Sequence, residues 1–165
     1  MTSIHGRPRR RLSRAGIAGM LAVAVCFGSC GKQTDDGADE KVTTLGSIEV
    51  TAQLVEILGK FPSNDLYDYT YILKYRVLET HRGKVDSESI LVGHYNPLKP
   101  RAEAADARVE GIGGDLKKFQ AGDTHRMALG VPLDDYYWKG PIINKYHGKA
   151  KGPLYWAVWT NRVIR

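Results

Sequence analysis

Three polar residues in the second half of the chain have side chains suited to acid–base or metal chemistry. His94 lies at the end of SILVGHY, and Asp123 and His125 are two positions apart in GDTHRMAL. Residues two apart on a strand face the same side, and imidazole and carboxylate groups both bind zinc and transfer protons. Their spacing matches no metal signature. They therefore define an alternative function, a small hydrolase or metal-dependent enzyme, and not the leading one.

Motifs for nucleophilic or phosphate chemistry are missing. No serine beyond residue 45 lies in a Gly-x-Ser-x-Gly elbow. Residues 111–114 (GIGG) lack the lysine and hydroxyl of a phosphate loop. Glu103 and Asp106 lie in an alanine-rich segment, which is more typical of a solvated helix face than of a glycosidase carboxylate pair. The sequence therefore predicts no catalytic residue, no cofactor and no metal.

Consecutive aromatic residues provide the candidate binding site. Tyr136, Tyr137 and Trp138 adjoin one another in a long loop that contains proline and glycine. Rings in a loop offer a large contact area at low entropic cost, so they can stack on sugars or dock a protein. We assign ligand binding to this loop, with His94 and Asn96 as its neighbours. The alternative is that the rings fold back and cap the domain as part of its core.

The alternation of residue types predicts a scaffold of strands for these candidates. Five segments read as strands: residues 47–57, 69–79, 89–95, 124–129 and 154–160. In the second, Tyr71, Leu73 and Tyr75 share one face, whereas Lys74 and Arg76 share the other. Residues 100–109 contain four alanines and predict a short helix, and residues 131–152 predict a long irregular loop.

The order of these elements resembles a small OB-like barrel. The resemblance rests on a long strand that turns through Arg-Gly-Lys into another (YILKYRVLETHRGKVDSESILVGHY) and on the later LKKFQAGDTHRMAL. It covers roughly residues 47–160. It implies a mainly β fold, a small five-stranded antiparallel barrel or sandwich with a short helical insert. A fold of this kind does not specify a ligand.

The first thirty residues predict export and anchoring. Five arginines without an acid precede an apolar segment of 13 residues, 15–27, which is too short to span a bilayer. Phe27-Gly28-Ser29-Cys30 then resembles the cleavage and acylation site of a bacterial lipoprotein precursor. This resemblance implies palmitate-type acyl chains on Cys30 and attachment to a membrane on its extracytoplasmic side. An ordinary cleaved signal is the alternative.

The rest of the chain is expected to comprise a tether and one domain. Removal of residues 1–29 takes away 5 of the 24 basic residues and leaves 19 against 18 acids, a balance that argues against nucleic-acid binding. Residues 31–41 (GKQTDDGADEK) contain four acids and no large apolar residue, so we expect residues 30–44 to form a flexible tether and residues 45–165 to form the barrel. The leading function is a lipid-anchored, non-catalytic binding or accessory module for an envelope protein or polysaccharide.

Overall fold

A closed barrel of five strands forms the centre of the domain. The computed structural model describes residues 36–137 and 139–164. Its strands are β1 (Ile48–Glu56), β2 (Thr70–Arg82), β3 (Ser89–Tyr95), β4 (Thr124–Gly130), β5 (Ile142–Ile143) and β6 (Leu154–Arg162). The barrel follows the order β1-β4-β6-β3-β2, with β2 pairing back to β1, and the short β5 lies beside β2. The predicted mainly β fold and its five principal strands are confirmed.

One pair of neighbouring barrel strands is parallel. β3 and β6 run in the same direction, with Gly93 opposite Trp156, whereas the other four pairs around the barrel are antiparallel. A closed ring with an odd number of strands cannot reverse direction at every step and still return to its starting direction. A closed barrel of five strands therefore cannot be wholly antiparallel. The expected antiparallel arrangement is corrected to one with a single parallel pair, β3 and β6.

Successive side chains along the strands point alternately into the barrel interior and outward to a second apolar layer. Tyr71, Leu73 and Tyr75 of β2 belong to the interior cluster. Ile72 and Trp156 point to the opposite face and belong to a second cluster, which α2 (Leu133–Tyr136) and the chain that follows it cover. Burying each such side chain contributes about 1.5–3 kcal/mol. The long loop therefore packs on the outer wall of the barrel.

The segment between β3 and β4 closes one end of the barrel and contains the expected helical insert only as a single short turn. Within residues 100–109 the structure has only a single 3-10 turn, Arg101–Glu103. The carboxylate of Asp106 accepts hydrogen bonds from the backbone N–H groups of Arg108 and Val109, both at 2.8 Å, and such side-chain bonds compete with a helix. Further along, Leu116 and Phe119 enter the interior cluster.

Residues 36–44, which we expected to belong to the tether, pack against the barrel. Asp39 caps the short helix α1 (Glu40–Thr44), and its carboxylate accepts hydrogen bonds from the side chains of Asn161 and Trp159. Asp36 forms an ion pair with Arg126 at 2.9 Å. Asp36 and Asp39 therefore have partners on β4 and β6, which hold residues 36–44 against the barrel.

The predicted signal segment, the remainder of the tether and Cys30 lie outside the described residues. Within residues 36–137 and 139–164, no helix has both the length and the apolar character needed to cross a bilayer. The anchoring of this chain therefore stays a prediction from its sequence.

Candidate functional site

Two of the residues singled out for chemistry meet inside the barrel on a shared tyrosine. Tyr75 Oη lies 3.1 Å from His94 Nε2 and 3.1 Å from His125 Nδ1. The three side chains come from β2, β3 and β4, and all three are fully buried. A phenolic hydroxyl carries a single proton, so Tyr75 donates it to one imidazole and accepts a hydrogen bond from the other. The result is a continuous hydrogen-bonded chain across the barrel interior.

The outer nitrogens of this chain are left without protein partners. His94 Nδ1 and His125 Nε2 make no hydrogen bond with any described residue. Phe119 covers both rings, with ring centroids 4.6 Å from His94 and 5.7 Å from His125. An aromatic cover of this kind separates the imidazoles from solvent, so they have no surface on which a substrate could bind.

A buried guanidinium lies beside the same cluster. Arg101 is 4% exposed, and its charged group lies 5.1 Å from the centre of the Phe119 ring. It forms no ion pair with a described carboxylate. It donates instead to the backbone carbonyls of Tyr95, Asn96 and Lys99, at 2.7, 2.5 and 3.0 Å. The sequence analysis missed both Arg101 and Phe119, because nothing in their local sequence indicates burial at the barrel end.

Burial sets the protonation of the cluster. It lowers the pKa of His94 well below its usual value, and the positive charge of Arg101, together with that of His125 when it is protonated, lowers this pKa further. Burial, with a contribution from Arg162, lowers the pKa of His125 to about 4. The pKa of Tyr75 is raised well above its usual value, again mainly by burial. All three groups are therefore neutral at pH 7, as a sealed interior requires.

Asp123, the third candidate, does not join the two histidines in a catalytic arrangement. Its side chain is half-buried and makes no hydrogen bond to either imidazole within the described chain. Its backbone N–H donates to Gln120 at 3.2 Å, and its carbonyl accepts from Leu54 at 2.9 Å, so it shapes the turn into β4. Among the described residues, no group of three or more His, Cys, Asp or Glu side chains could hold a metal ion.

An open groove on the outer wall is the more accessible site. Its volume is about 330 Å³, and it lies between the residues that follow Asp106 and the aromatic loop. The side chains that define it are Arg108, Glu110, Tyr136, Tyr137, Lys139 and Trp156. The groove therefore combines aromatic surface with charged groups of both signs, as expected of a recognition site for a polar ligand.

The two described tyrosines of the aromatic loop have different roles. The ring of Tyr137 is buried and stacks on Trp156, with centroids 4.7 Å apart and an angle of 16° between the planes. The ring of Tyr136 rests on the backbone of Gly130, where a Cβ atom would come within 2.6 Å of it, and it remains 45% exposed. Trp138, predicted with them, lies outside the described residues. Tyr137 therefore builds the wall of the groove, and Tyr136 presents its ring to solvent.

The predicted neighbours His94 and Asn96 do not line this groove. Asn96 is fully buried, with a left-handed backbone (φ 46°) at the end of β3. Its side-chain oxygen accepts from Asn64 at 2.8 Å, and its amide donates to the carbonyl of Ala104 at 3.3 Å. Asn96 therefore joins two loops at the end of β3 and does not offer a polar group to a ligand.

No model of a known protein family matches the chain, and no characterised protein or solved structure is significantly similar to it. What the groove can bind follows from its own chemistry. It has one half-exposed ring, a wall formed by two stacked aromatic rings, and three charged side chains.

Proposed function

We propose that this chain is a lipid-anchored binding module of the bacterial cell envelope, held on the extracytoplasmic side of a membrane through Cys30. It contacts an envelope protein or polysaccharide and catalyses no reaction. The anchoring part of this proposal rests on the basic and apolar segments before Phe27-Gly28-Ser29-Cys30. Two or more acyl chains on one cysteine would give stable attachment, whereas a single chain binds only marginally.

The groove beside Tyr136 carries the binding part of the proposal. A half-exposed ring next to an open groove can contact the apolar face of a sugar or a side chain of a protein partner. Arg108, Glu110 and Lys139 form no ion pair with a described residue, so their charged groups are available to hydroxyl, carboxylate or amide groups of a ligand. The backbone of Gly130 supports the Tyr136 ring, and a ring held in place lowers the entropic cost of binding.

An envelope enzyme that uses His94, Asp123 and His125 is the less favoured alternative. A general base must come within hydrogen-bond reach of its substrate, whereas His94 and His125 have no exposed surface. Both rings lie beneath Phe119. Chemistry at these imidazoles would first require the end of the barrel to open.

A substitution in the groove tests the proposal. Tyr136→Ala in the full chain should reduce capture of isolated envelope polysaccharide or cross-linking to envelope proteins, with little change in melting temperature, because the ring is largely outside the core. Tyr67→Ala is a matched control, since Tyr67 is a similarly exposed tyrosine (49%) on another loop. Equal capture by both variants and the parent chain would contradict a ligand site at the groove.

A further inference from the structure

A lysine-rich segment follows the aromatic loop. Residues 139–151 (KGPIINKYHGKAK) contain four lysines and one histidine and no acid. The chain beyond residue 29 has nearly balanced charge, with 19 basic residues against 18 acids. A run of this composition in a balanced domain concentrates positive charge on one part of the surface. We refer to residues 139–151 as the lysine segment.

The backbone of the lysine segment is held on the barrel while its charged groups face solvent. Ile142 and Ile143 pair with the start of β2. Tyr146 is buried, and its hydroxyl donates to the carbonyl of Glu56 at 3.4 Å. The four lysines are all exposed, and a Cβ atom on Gly148 would meet nothing within 4 Å. The segment therefore projects its positive charges from a fixed position.

These positive charges are not neutralised from within the domain. None of the four lysines forms an ion pair within residues 36–137 and 139–164. Two acids whose backbone lies beside the segment already have partners: the Glu56 carboxylate lies 3.8 Å from Lys74, and the Asp68 carboxylate lies 3.5 Å from Lys99. The charges of the lysine segment are therefore free to attract an external anion.

The shape of the segment favours an extended anionic surface over a small ligand. Lys139, at the start of the segment, belongs to the groove described above, whereas Lys151 lines a cavity of only about 60 Å³, which is too small for a ligand of ordinary size. Lysine offers a flexible point charge, not the planar fork with which arginine grips a single carboxylate or phosphate. The one aromatic residue of the segment, Tyr146, is buried and unavailable for stacking on sugars or bases. Several lysines on one surface attract anionic lipid headgroups additively.

We propose that the lysine segment docks on the anionic phospholipid headgroups of a membrane, so that this face of the barrel lies against the bilayer. The contact is electrostatic and requires no insertion of apolar side chains. It goes beyond the proposed anchoring, because it does not depend on whether Cys30 is acylated.

Lysine reactivity in the presence of vesicles tests this contact. The full chain is mixed with vesicles of phosphatidylcholine alone or with vesicles rich in phosphatidylglycerol, and a membrane-impermeant acylating reagent is added. Mass spectrometry measures the modification rate of each lysine. The rates of Lys145, Lys149 and Lys151 should fall severalfold with the anionic vesicles and return to their original values at high salt. Lys117 and Lys118 are exposed lysines elsewhere on the surface, and their rates should not change.

A triple variant gives the quantitative test. K145Q/K149Q/K151Q should weaken partitioning onto anionic vesicles on the order of 100-fold, because each lysine near such a surface contributes about fivefold. Unchanged partitioning would overturn the proposal. A soluble anionic polysaccharide, added without vesicles, should not slow modification of these lysines. If it slows modification as much as the anionic vesicles do, the proposal is overturned, because the segment then binds an anionic polymer and not specifically a membrane. The triple substitution should weaken partitioning to the same extent when Cys30→Ala is also present. An error in the proposed acylation of Cys30 and an error in the proposed lysine contact therefore give different results.

Discussion

Acidification should destabilise the barrel through its two buried histidines. His94 and His125 are neutral in the folded chain, share the hydroxyl of Tyr75 and are fully buried. Protonation of either imidazole places a positive charge in the barrel interior, close to the cation of Arg101. No described carboxylate forms an ion pair with any of these groups, so the protonated form is unfavourable.

The size of the decrease in the free energy of unfolding follows from the pKa of His125. An unfolded histidine titrates near 6.5, whereas burial lowers the pKa of His125 to about 4 in the folded chain. Between these values the unfolded chain binds more protons than the folded chain, so the free energy of unfolding decreases as the pH falls. At about 1.4 kcal/mol per pKa unit, His125 alone removes roughly 2 kcal/mol between pH 7 and pH 5. The pKa of His94 is also lowered, so its effect has the same sign.

Urea unfolding at pH 7 and pH 5 measures this difference directly. His125→Gln should reduce the pH dependence of the free energy of unfolding by roughly 2 kcal/mol. An equal free energy of unfolding at the two pH values would refute the account of two neutral imidazoles sealed in the barrel.

Three substitutions test the packing that positions the groove and the N-terminal segment, each by chemical denaturation. Gly93→Ala should cost about 1–3 kcal/mol, since the added Cβ would come within 2.5 Å of Leu133 Cδ1; a neutral effect would show that α2 moves freely away from β3. Tyr137→Ala should cost roughly 3–5 kcal/mol by removing the ring stacked on Trp156, and a loss below 1 kcal/mol would place that ring outside the core. Asp39→Ala should cost about 1–2 kcal/mol through the lost helix cap, and unchanged stability would argue that the segment before β1 is not docked.

The strands were predictable because their signal is local. Alternation in the segment around Tyr71 and Tyr75 repeats every two residues, and the observed strand keeps the predicted faces. The helical insert expected within residues 100–109 is present only as the 3-10 turn Arg101–Glu103, because composition alone does not reveal that Asp106 binds the backbone of its own turn. Alanine content favours a helix, but a single side chain in the right geometry changes the outcome.

The features that the sequence did not reveal depend on residues far apart in the chain. Tyr75 and His125 are 50 positions apart and meet only because the barrel closes. Asp39 and Asn161 are separated by 122 positions, so the composition of the N-terminal segment suggested a tether although Asp36 and Asp39 have partners in the folded domain. The aromatic loop that the sequence singled out lines part of the groove, but the burial of Tyr137 depends on packing against the outer wall, which the sequence does not show.

Identification of the N-terminal residue of the mature protein tests the central proposal most directly. Mass spectrometry of the full-length product, purified from the membrane fraction of the cells that make it, reads both the first residue and its modification. The proposal predicts a chain that begins at Cys30 and carries at least two acyl chains, and it predicts that Cys30→Ala moves the protein out of the membrane fraction. An unmodified N-terminus at any other residue, or fatty-acid labelling that persists in Cys30→Ala, would contradict it.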